Sequence, residues 1–419
     1  MTDIVSSSSI IATLLEEHFE EASFLWLQRA SAVRAPNYSP NQFADLDERL
    51  EAHLDGLRVA GEEGWQLVEA GLENEGPEDF FPAAVLALEG PIGRFEALLD
   101  RVGELPEVIP ALISALGWSP WQLVEPRVKV LLEDASPAKQ KLALAGYAVH
   151  RKDPGSALAR CLGSPVDSVR IRALRTVGEL GRRDLLAPCL ANLSDAKPEV
   201  RFWAAWPAVL LGDRDRGLRT NMDYALAGGP RQTRALQLAL QVLDNQRGRD
   251  YLLQLSDIPQ GSRLHIIGAG FLGDVQDVPW LIQQMALPAF ARIAAEAFVT
   301  MTGVDVNLEQ MESPPPEDFE DGPTEDPDDE NVEVPEDVAL PWPNVERIQQ
   351  WWAQHQGRFQ AGRRYFLGQP VTRDHCMRVL KEGFQRQRIV AALHLSLLEP
   401  GTPLFNTSAP GFRQQQWLG

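Results

Sequence analysis

A repeat of 27 to 33 residues runs through most of this 419-residue chain and constrains its fold more than any other feature. Each unit has a turn that usually carries a proline, an apolar run rich in alanine and leucine, a glycine or polar turn, and a second apolar run. Proline in the first turn of a helix is well tolerated, because the N–H it removes has no intrahelical partner. The units begin at Pro77, Pro106, Pro137, Pro165, Pro198, Pro230, Gly261 and Pro288.

Each unit is predicted to be a pair of helices. In the unit that follows Pro165, apolar residues recur three and four positions apart, as on one face of a helix. Glycines such as Gly181, Gly212 and Gly273 are placed to end the first helix, because glycine tolerates left-handed backbone geometry. Second helices are predicted over Leu185–Leu193, Arg216–Ala227 and Val278–Met285. Such pairs cannot bury their apolar faces alone, so the chain is predicted to be an all-α protein whose hairpins stack into an α-solenoid.

The sequence outside the repeats is predicted to form a cap, a linker and a second small module. Residues 1–76 would be an N-terminal helical cap with helices Ile10–Arg29 and Phe43–Val59, and residues 77–308 the repeat solenoid. Residues 309–341 would be an acidic linker, and residues 342–419 a helical module. Within that module we expect a short helix over Pro343–Gln356, a turn or short extended piece over Arg363–Val371, and one long helix over Arg373–Leu398. The expected inward positions of the long helix are Met377, Leu380, Phe384, Ile389, Leu393 and Leu397.

Charge is distributed in blocks. The chain has 59 acidic and 39 basic residues, a formal net charge of −20. Residues 129–292 nevertheless contain 22 basic and 16 acidic residues, whereas 293–346 contain 17 acidic and no basic ones. The basic surface can be satisfied by the chain's own acidic parts or by an acidic partner. Residues 309–341 are too polar to offset chain entropy, which predicts a disordered or extended tether; the alternative is docking on arginine-rich helices.

Nucleic acid and membrane are not the expected partners. Nucleic-acid-binding domains usually have an isoelectric point above about 9, whereas this chain has one near 4.8. No stretch approaches the roughly 20 apolar residues of a membrane span. The start MTDIVSSSS lacks the charged region of a secretory signal, and Cys161, Cys189 and Cys376 stand far apart. A cytoplasmic protein is therefore expected.

The runs SPVDSVRIRALRTVGELG and DAKPEVRFWAAWPAVLLGD resemble HEAT-like repeats of the phycobilin-lyase type. The resemblance covers residues 137–303 and, more weakly, 77–136. It implies that Asp195 with Arg201, and Asp167 with Arg170, belong to a structural ladder of charges between neighbouring repeats.

A second resemblance extends over nearly the whole chain. The strings EAFVTMTGVDV, LPWPN and RYFLGQP, followed by VLKEGFQRQRIVAALHLSLLEPGTPLF, resemble a family of uncharacterised bacterial HEAT-like proteins, some of them encoded among type VI secretion genes. This resemblance implies a secretion-linked context and assigns no chemistry.

Motifs that carry chemistry are weak. Gly268, Gly270 and Gly273 form a literal GxGxxG, but a dinucleotide site needs a preceding strand and a βαβ unit, so a helix end is the better interpretation. The histidines and cysteines have no paired metal-ligand spacing, and adjacent His375 and Cys376 would point to different helix faces. No metal, cofactor or catalytic residue is predicted. The tryptophans are expected in the core, or alternatively as partner anchors.

The remaining candidates are five arginines at the inter-helix turns of the central repeats: Arg182, Arg183, Arg214, Arg216 and Arg219. A ligand at this position should be acidic. The sequence therefore predicts a non-enzymatic scaffold that binds another protein with an acidic surface. The resemblance to the secretion-linked family implies that this scaffold is a type VI secretion adaptor, chaperone or immunity-type protein. The alternative is a bilin-lyase-like enzyme subunit, which the resemblance to the lyase repeats implies.

Overall fold

The computed structural model describes residues 12–72, 76–102, 106–255, 258, 260–316, 319 and 337–419. These residues form 22 α-helices and one short hairpin of two antiparallel strands, so the all-α prediction is confirmed. No described helix is long and apolar enough to cross a bilayer. The helices are α1 Ala12–Ala32, α2 Pro40–Val59, α3 Glu62–Gly71, α4 Phe80–Glu89, α5 Gly93–Val102, α6 Ile109–Trp118, α7 Trp121–Leu132, α8 Pro137–Val149, α9 Ser156–Leu162, α10 Asp167–Leu180, α11 Leu186–Ala191, α12 Pro198–Leu210, α13 Arg216–Ala227, α14 Gln232–Val242, α15 Asn245–Gln254, α16 Gly261–Leu272, α17 Val278–Gln284, α18 Pro288–Thr302, α19 Val345–His355, α20 Arg373–Glu382, α21 Gln385–Leu398 and α22 Gly411–Leu418; the strands are β1 Tyr365–Phe366 and β2 Gln369–Pro370.

The chain divides into two compact units. Unit 1 comprises Met1–Leu180 with Phe405–Gly419, and unit 2 comprises Gly181–Leu404. The four predicted segments do not coincide with this division, because the last residues of the predicted C-terminal module fold with unit 1. There, the Gly411 amide donates to the buried Asp47 carboxylate at 2.7 Å, and Arg413 donates to the carbonyl oxygens of Trp118 and Ser119, each at 3.2 Å. Asp47 also forms a buried ion pair with Arg29 at 2.6 Å.

Within each unit, the first helices of successive repeats pack on one another. In unit 1, α4 contacts α6, α6 contacts α8, and α8 contacts α10. In unit 2, α12 contacts α14, α14 contacts α16, and α16 contacts α18. This is the neighbour-to-neighbour packing that the repeat predicts. A continuous solenoid stays a prediction.

The N-terminal helices pack on the first repeat, as a cap would. Helix α1 contacts α4, and the rings of Trp26 and Phe81 stack with their centroids 5.9 Å apart. The predicted helix Ile10–Arg29 begins outside the described residues at positions 10 and 11; its described part starts at Ala12 and continues to Ala32.

The local rules that start and end helices hold in several repeats. Helices α8, α12 and α18 start at their predicted prolines. Gly181, Gly212 and Gly273 have φ values of +69°, +106° and +69°, the left-handed geometry that ends a helix at glycine. The predicted second helix Arg216–Ala227 is confirmed as α13. The one over Leu185–Leu193 is shorter, because α11 is flanked by single 3₁₀ turns on both sides.

The prediction of one long helix over Arg373–Leu398 is wrong. The chain forms α20 and α21, which pack on each other and are separated by Gly383 and Phe384. Gly383 is extended, with φ −72° and ψ 166°, and its amide donates to the Val379 carbonyl, which ends α20. Phe384 becomes the residue before α21 and is 41% exposed. Of the predicted inward positions Leu380 and Leu393 are buried, while Met377, Ile389 and Leu397 are half-buried.

The residues that the lyase-type resemblance pairs contact each other inside their own repeats, one pair through charges and the other through the backbone. Arg170 bonds the Asp167 carboxylate at 2.7 Å, and Arg201 donates to the backbone oxygen of Asp195 at 2.8 Å. The predicted ladder between neighbouring repeats stays a prediction.

Candidate functional site

The turns that end the first helices of unit 2 are covered by the segment from Arg363 to Thr402. The hairpin of β1 and β2 lies on the last two repeats: the Tyr365 amide donates to the Gly273 carbonyl at 2.8 Å, and the Leu367 amide donates to the Thr300 carbonyl at 2.7 Å. Gly401 packs directly against Gly181. The inter-helix turns that the sequence predicts as a binding surface are therefore partly covered by the chain itself.

Arg364 joins this segment to two of the repeat helices. Its guanidinium donates to the carbonyl oxygens of Leu240 at 2.6 Å and Leu272 at 3.1 Å, and also to those of Gln241 and Leu243. These carbonyls lie in the last turns of α14 and α16 or just beyond them, where a helix has no N–H groups of its own to offer. Burial lowers the pKa of Arg364 to about 10, so it stays charged at neutral pH.

Two of the five predicted arginines are neutralised inside their own turns. Arg182 binds the Asp184 carboxylate through two nitrogens, at 2.8 and 2.6 Å. Arg219 pairs with Asp215 at 2.7 Å, and both side chains are exposed. Exposed pairs of this kind contribute little to stability, but each lowers the charge that its turn presents.

The other three predicted arginines are exposed, and none has an ion pair within the described part of the chain. Arg183 lies with its aliphatic stem against Gly401. Arg214 donates through Nη1 to the carbonyl oxygens of Val209 at 2.6 Å and Asp213 at 3.2 Å. Arg216 makes one long bond, 3.5 Å, to the Leu190 carbonyl. These three arginines are the part of the predicted set that remains available to an acidic partner.

A pocket of about 440 Å³ lies where the ends of α12 and α14 meet the hairpin and α21. Its described lining includes three arginines and no aspartate or glutamate. The rest of the lining is mostly aliphatic. The lining residues are Arg214, Gln241, Val242, Arg363, Arg364, Pro370, Val371, Thr372, His394, Leu397 and Leu398.

The polar side chains of the pocket differ in the number of hydrogen-bond partners that they have. Arg363 is exposed and has no hydrogen bond or ion pair from its side chain to a described residue. Gln241 is 5% exposed, and neither its amide oxygen nor its amide nitrogen has a partner in the described structure. Burial, with the nearby charges of Arg364 and His375, lowers the pKa of His394 to about 3, so this imidazole is neutral at physiological pH. The positive charge of the pocket therefore comes from its guanidinium groups.

Sequence reasoning found Arg214 but missed Arg363 and Arg364. Both lie in a stretch predicted only as a turn or short extended piece, and Arg364 contacts carbonyls that are more than 90 residues away along the chain. Local spacing carries no signal for such contacts. The one available sign was a pair of adjacent arginines directly before the apolar residues Tyr365 and Phe366.

The GxGxxG string is part of a helix, as the sequence predicts. Gly268 and Gly270 lie inside α16, where a Cβ would meet the Leu252 side chain and the Ala297 backbone respectively. Gly273 ends the helix and touches the Tyr365 backbone. These glycines allow close packing between helices. They do not lie in the strand–turn–helix that a dinucleotide site requires.

His375 and Cys376 do not form a nucleophilic pair. Cys376 is fully buried, and burial raises the pKa of its thiol to about 11, which disfavours the reactive thiolate. The His375 Nε2 atom hydrogen-bonds the Phe366 carbonyl at 2.7 Å. Among the described residues, no group of three or more histidine, cysteine, aspartate or glutamate side chains could hold a metal ion.

The predicted tryptophan core is found in part: five of the eleven tryptophans are buried, five are half-buried and Trp417 is exposed. Trp118, Trp203 and Trp206 are buried. Trp351 and Trp352 are half-buried and lie edge-on to the ring of Phe298.

Both ends of the predicted acidic tether are held on unit 2. The Asn344 amide donates to the Met311 carbonyl at 2.6 Å, and the Asp337 carboxylate accepts two bonds from Arg263, at 2.6 and 2.7 Å. The Asp337 pair is the kind of contact that the docking alternative expects. The middle of the segment, residues 317–318 and 320–336, lies outside the described residues, so the choice between tether and docked strand stays open.

No protein-family model matches the chain, and neither the curated proteins nor the solved structures include a match. The resemblances to HEAT-like repeats and to the secretion-linked family therefore remain expectations from the sequence.

Proposed function

We propose that this chain is a non-enzymatic binding protein of the bacterial cytoplasm, and that exposed arginines of unit 2 engage an acidic protein partner. The observation that supports this proposal most is that Arg183, Arg214 and Arg216 are exposed and have no ion pair within the described structure. Arginine binds carboxylates through two parallel N–H groups, which makes it well suited to an acidic protein surface.

Net charge argues for a protein partner rather than nucleic acid. The whole chain carries −20, and the segment 293–346 adds 17 acidic residues to the same unit that holds the free arginines. A phosphate backbone is repelled by a chain of this net charge, and salt screens such repulsion only beyond about 8–10 Å at physiological ionic strength. A compact acidic patch on a protein needs to contact only the arginines.

The role of the complex follows from the sequence resemblance alone. If the resemblance to secretion-linked HEAT-like proteins reflects descent, the partner is an effector or a component of the type VI apparatus. The chain would then act as an adaptor, a chaperone or an immunity-type protein.

The proposal is tested by purifying the tagged chain from its native host and identifying the bound proteins by mass spectrometry. The double variant Arg183→Glu, Arg216→Glu should lose the partner. A matched control is Arg160→Glu, Arg219→Glu, which changes the net charge by the same amount at exposed arginines that are already paired with Glu133 and Asp215. Equal recovery with both double variants would refute the proposal.

A bilin-lyase-like activity makes a different prediction. A linear tetrapyrrole held by protein changes the shape and position of its visible absorption. Adding a bilin to the purified chain should leave the spectrum unchanged under the binding-protein proposal. A saturable spectral shift would favour the enzyme subunit.

A further inference from the structure

The pocket at the end of α14 has the composition of a site for a carboxylate attached to an aliphatic group. Its polar side carries the guanidinium groups of Arg214, Arg363 and Arg364, and its described lining contains no aspartate or glutamate. Its apolar side is made of Val242, Pro370, Val371, Leu397 and Leu398. Its volume of about 440 Å³ falls within the range of about 300–1,000 Å³ that is typical of small-ligand pockets.

Two of the three arginines have N–H groups without a hydrogen-bond partner in the described structure. The guanidinium of Arg364 donates to four backbone carbonyl oxygens, so Arg364 stabilises the pocket wall. Arg214 uses only Nη1, and the Arg363 side chain has no partner among the described residues. An anion in the pocket would therefore be bound by Arg214 and Arg363 without breaking an existing ion pair.

Gln241 does not take part in binding, because its amide nitrogen and oxygen are fully buried and so do not reach the open pocket. The lining is suited to a carboxylate that carries an aliphatic group. The function proposed above, binding to another protein, favours the C-terminal residue of a peptide over a free fatty acid as the source of that carboxylate.

We propose that the pocket binds the C-terminal residue of a peptide chain, with its free carboxylate on Arg214 and Arg363 and an aliphatic side chain against the leucine and valine wall. That the peptide belongs to an acidic partner protein rests on the function proposed above. The proposal adds a specific anchor to that function: a partner whose last residue is leucine, isoleucine or valine.

Binding of model ligands tests the pocket without knowledge of the partner. We would titrate the full chain by calorimetry with a short acidic peptide that ends in leucine, with the same peptide amidated at its C-terminus, and with octanoate. The free peptide should bind at least tenfold more tightly than the amidated one, because one charge-assisted contact is worth about that factor. It should also bind more tightly than octanoate.

A variant in the pocket links the binding to its residues. Arg363→Gln should weaken the free peptide about tenfold and leave the amidated peptide unchanged, while Arg219→Gln, an exposed arginine outside the pocket, should have no effect. Equal affinity for the free and amidated peptides, or an Arg363→Gln variant that binds normally, would overturn the proposal. Octanoate binding as tightly as the peptide would make the ligand a small carboxylic acid and would also overturn it.

The two proposals can fail separately. The Arg183→Glu, Arg216→Glu variant alters the exposed face and leaves the pocket residues intact. Loss of the cellular partner in that variant, together with absence of peptide binding, would retain the proposed function and reject the pocket. Peptide binding in a chain that recovers no partner would retain the pocket and reject the proposed function.

Discussion

Replacing Arg364 with methionine should strongly destabilise unit 2. Methionine keeps most of the length of the side chain and removes every donor. Four carbonyl oxygens at the ends of α14 and α16 lose their partner. Each hydrogen bond from a charged donor contributes about 1.5–3 kcal/mol, and the cost of burying the guanidinium offsets part of the sum. We expect a net loss of about 3–5 kcal/mol, because each carbonyl oxygen left without a donor costs about 1–3 kcal/mol.

The adjacent residue supplies the control. Arg363 is exposed and has no partner within the described structure, so Arg363→Met should change stability by less than about 0.5 kcal/mol. Arg364→Lys should recover only part of the loss, because a single ammonium cannot reach the ends of two helices at once. Urea unfolding measures the free energy, and hydrogen exchange of residues 232–243 reports on α14 directly. Equal stability of the Arg364→Met and Arg363→Met variants would refute the role given to this guanidinium.

Two further predictions concern pH and backbone geometry. Because the pKa of His394 is lowered to about 3 from 6.5, the unfolded chain takes up a proton between these pH values that the folded chain does not. His394 therefore lowers the stability of unit 2 increasingly as pH drops from 6 to 4, by on the order of 1 kcal/mol for each pH unit. Asp277, whose pKa burial raises to about 6, acts in the opposite direction over the same range. The contribution of His394 is therefore measured as the difference in unfolding free energy between the wild type and His394→Gln, and a difference that does not change with pH would contradict it. Gly273→Ala should cost more than about 1 kcal/mol, because the residue is left-handed and its Cβ would meet the Tyr365 backbone. The control is Gly93→Ala, at the start of α5, where a Cβ would lie in open space; this variant should be neutral or stabilising. Thermal melts in which Gly273→Ala were the more stable of the two variants would show that the Gly273 backbone is not constrained.

Much of the fold could be read from the sequence, because the signals that specify it are local. Proline at a helix start and glycine at its end act within one turn, which is why α12 and α13 fall where they were predicted. The break between α20 and α21 was missed, because the apolar spacing continues through Phe384 as it would in an unbroken helix. An extended Gly383 decides the outcome, and its conformation depends on how the two helices pack together.

The candidate site was only partly predictable. Arginines at inter-helix turns are visible in the sequence, and Arg183, Arg214 and Arg216 are exposed as a binding surface requires. Whether an arginine is already paired depends on its neighbours in space. Arg182 was indistinguishable from Arg183 until the Asp184 contact was seen. The pocket itself is built from segments more than 100 residues apart, so no local pattern could have indicated it.

The central claim is that unpaired arginines of unit 2 hold an acidic protein partner, and its most direct test is the salt dependence of that complex. We would measure the dissociation constant of the recovered partner against ionic strength for the wild-type chain and for the Arg183→Glu, Arg216→Glu variant. The account predicts that binding to the wild type weakens steeply as salt increases, and that the variant binds at least tenfold more weakly at low salt with a shallower dependence. An affinity that does not change with salt, or a variant that follows the wild-type curve, would contradict it.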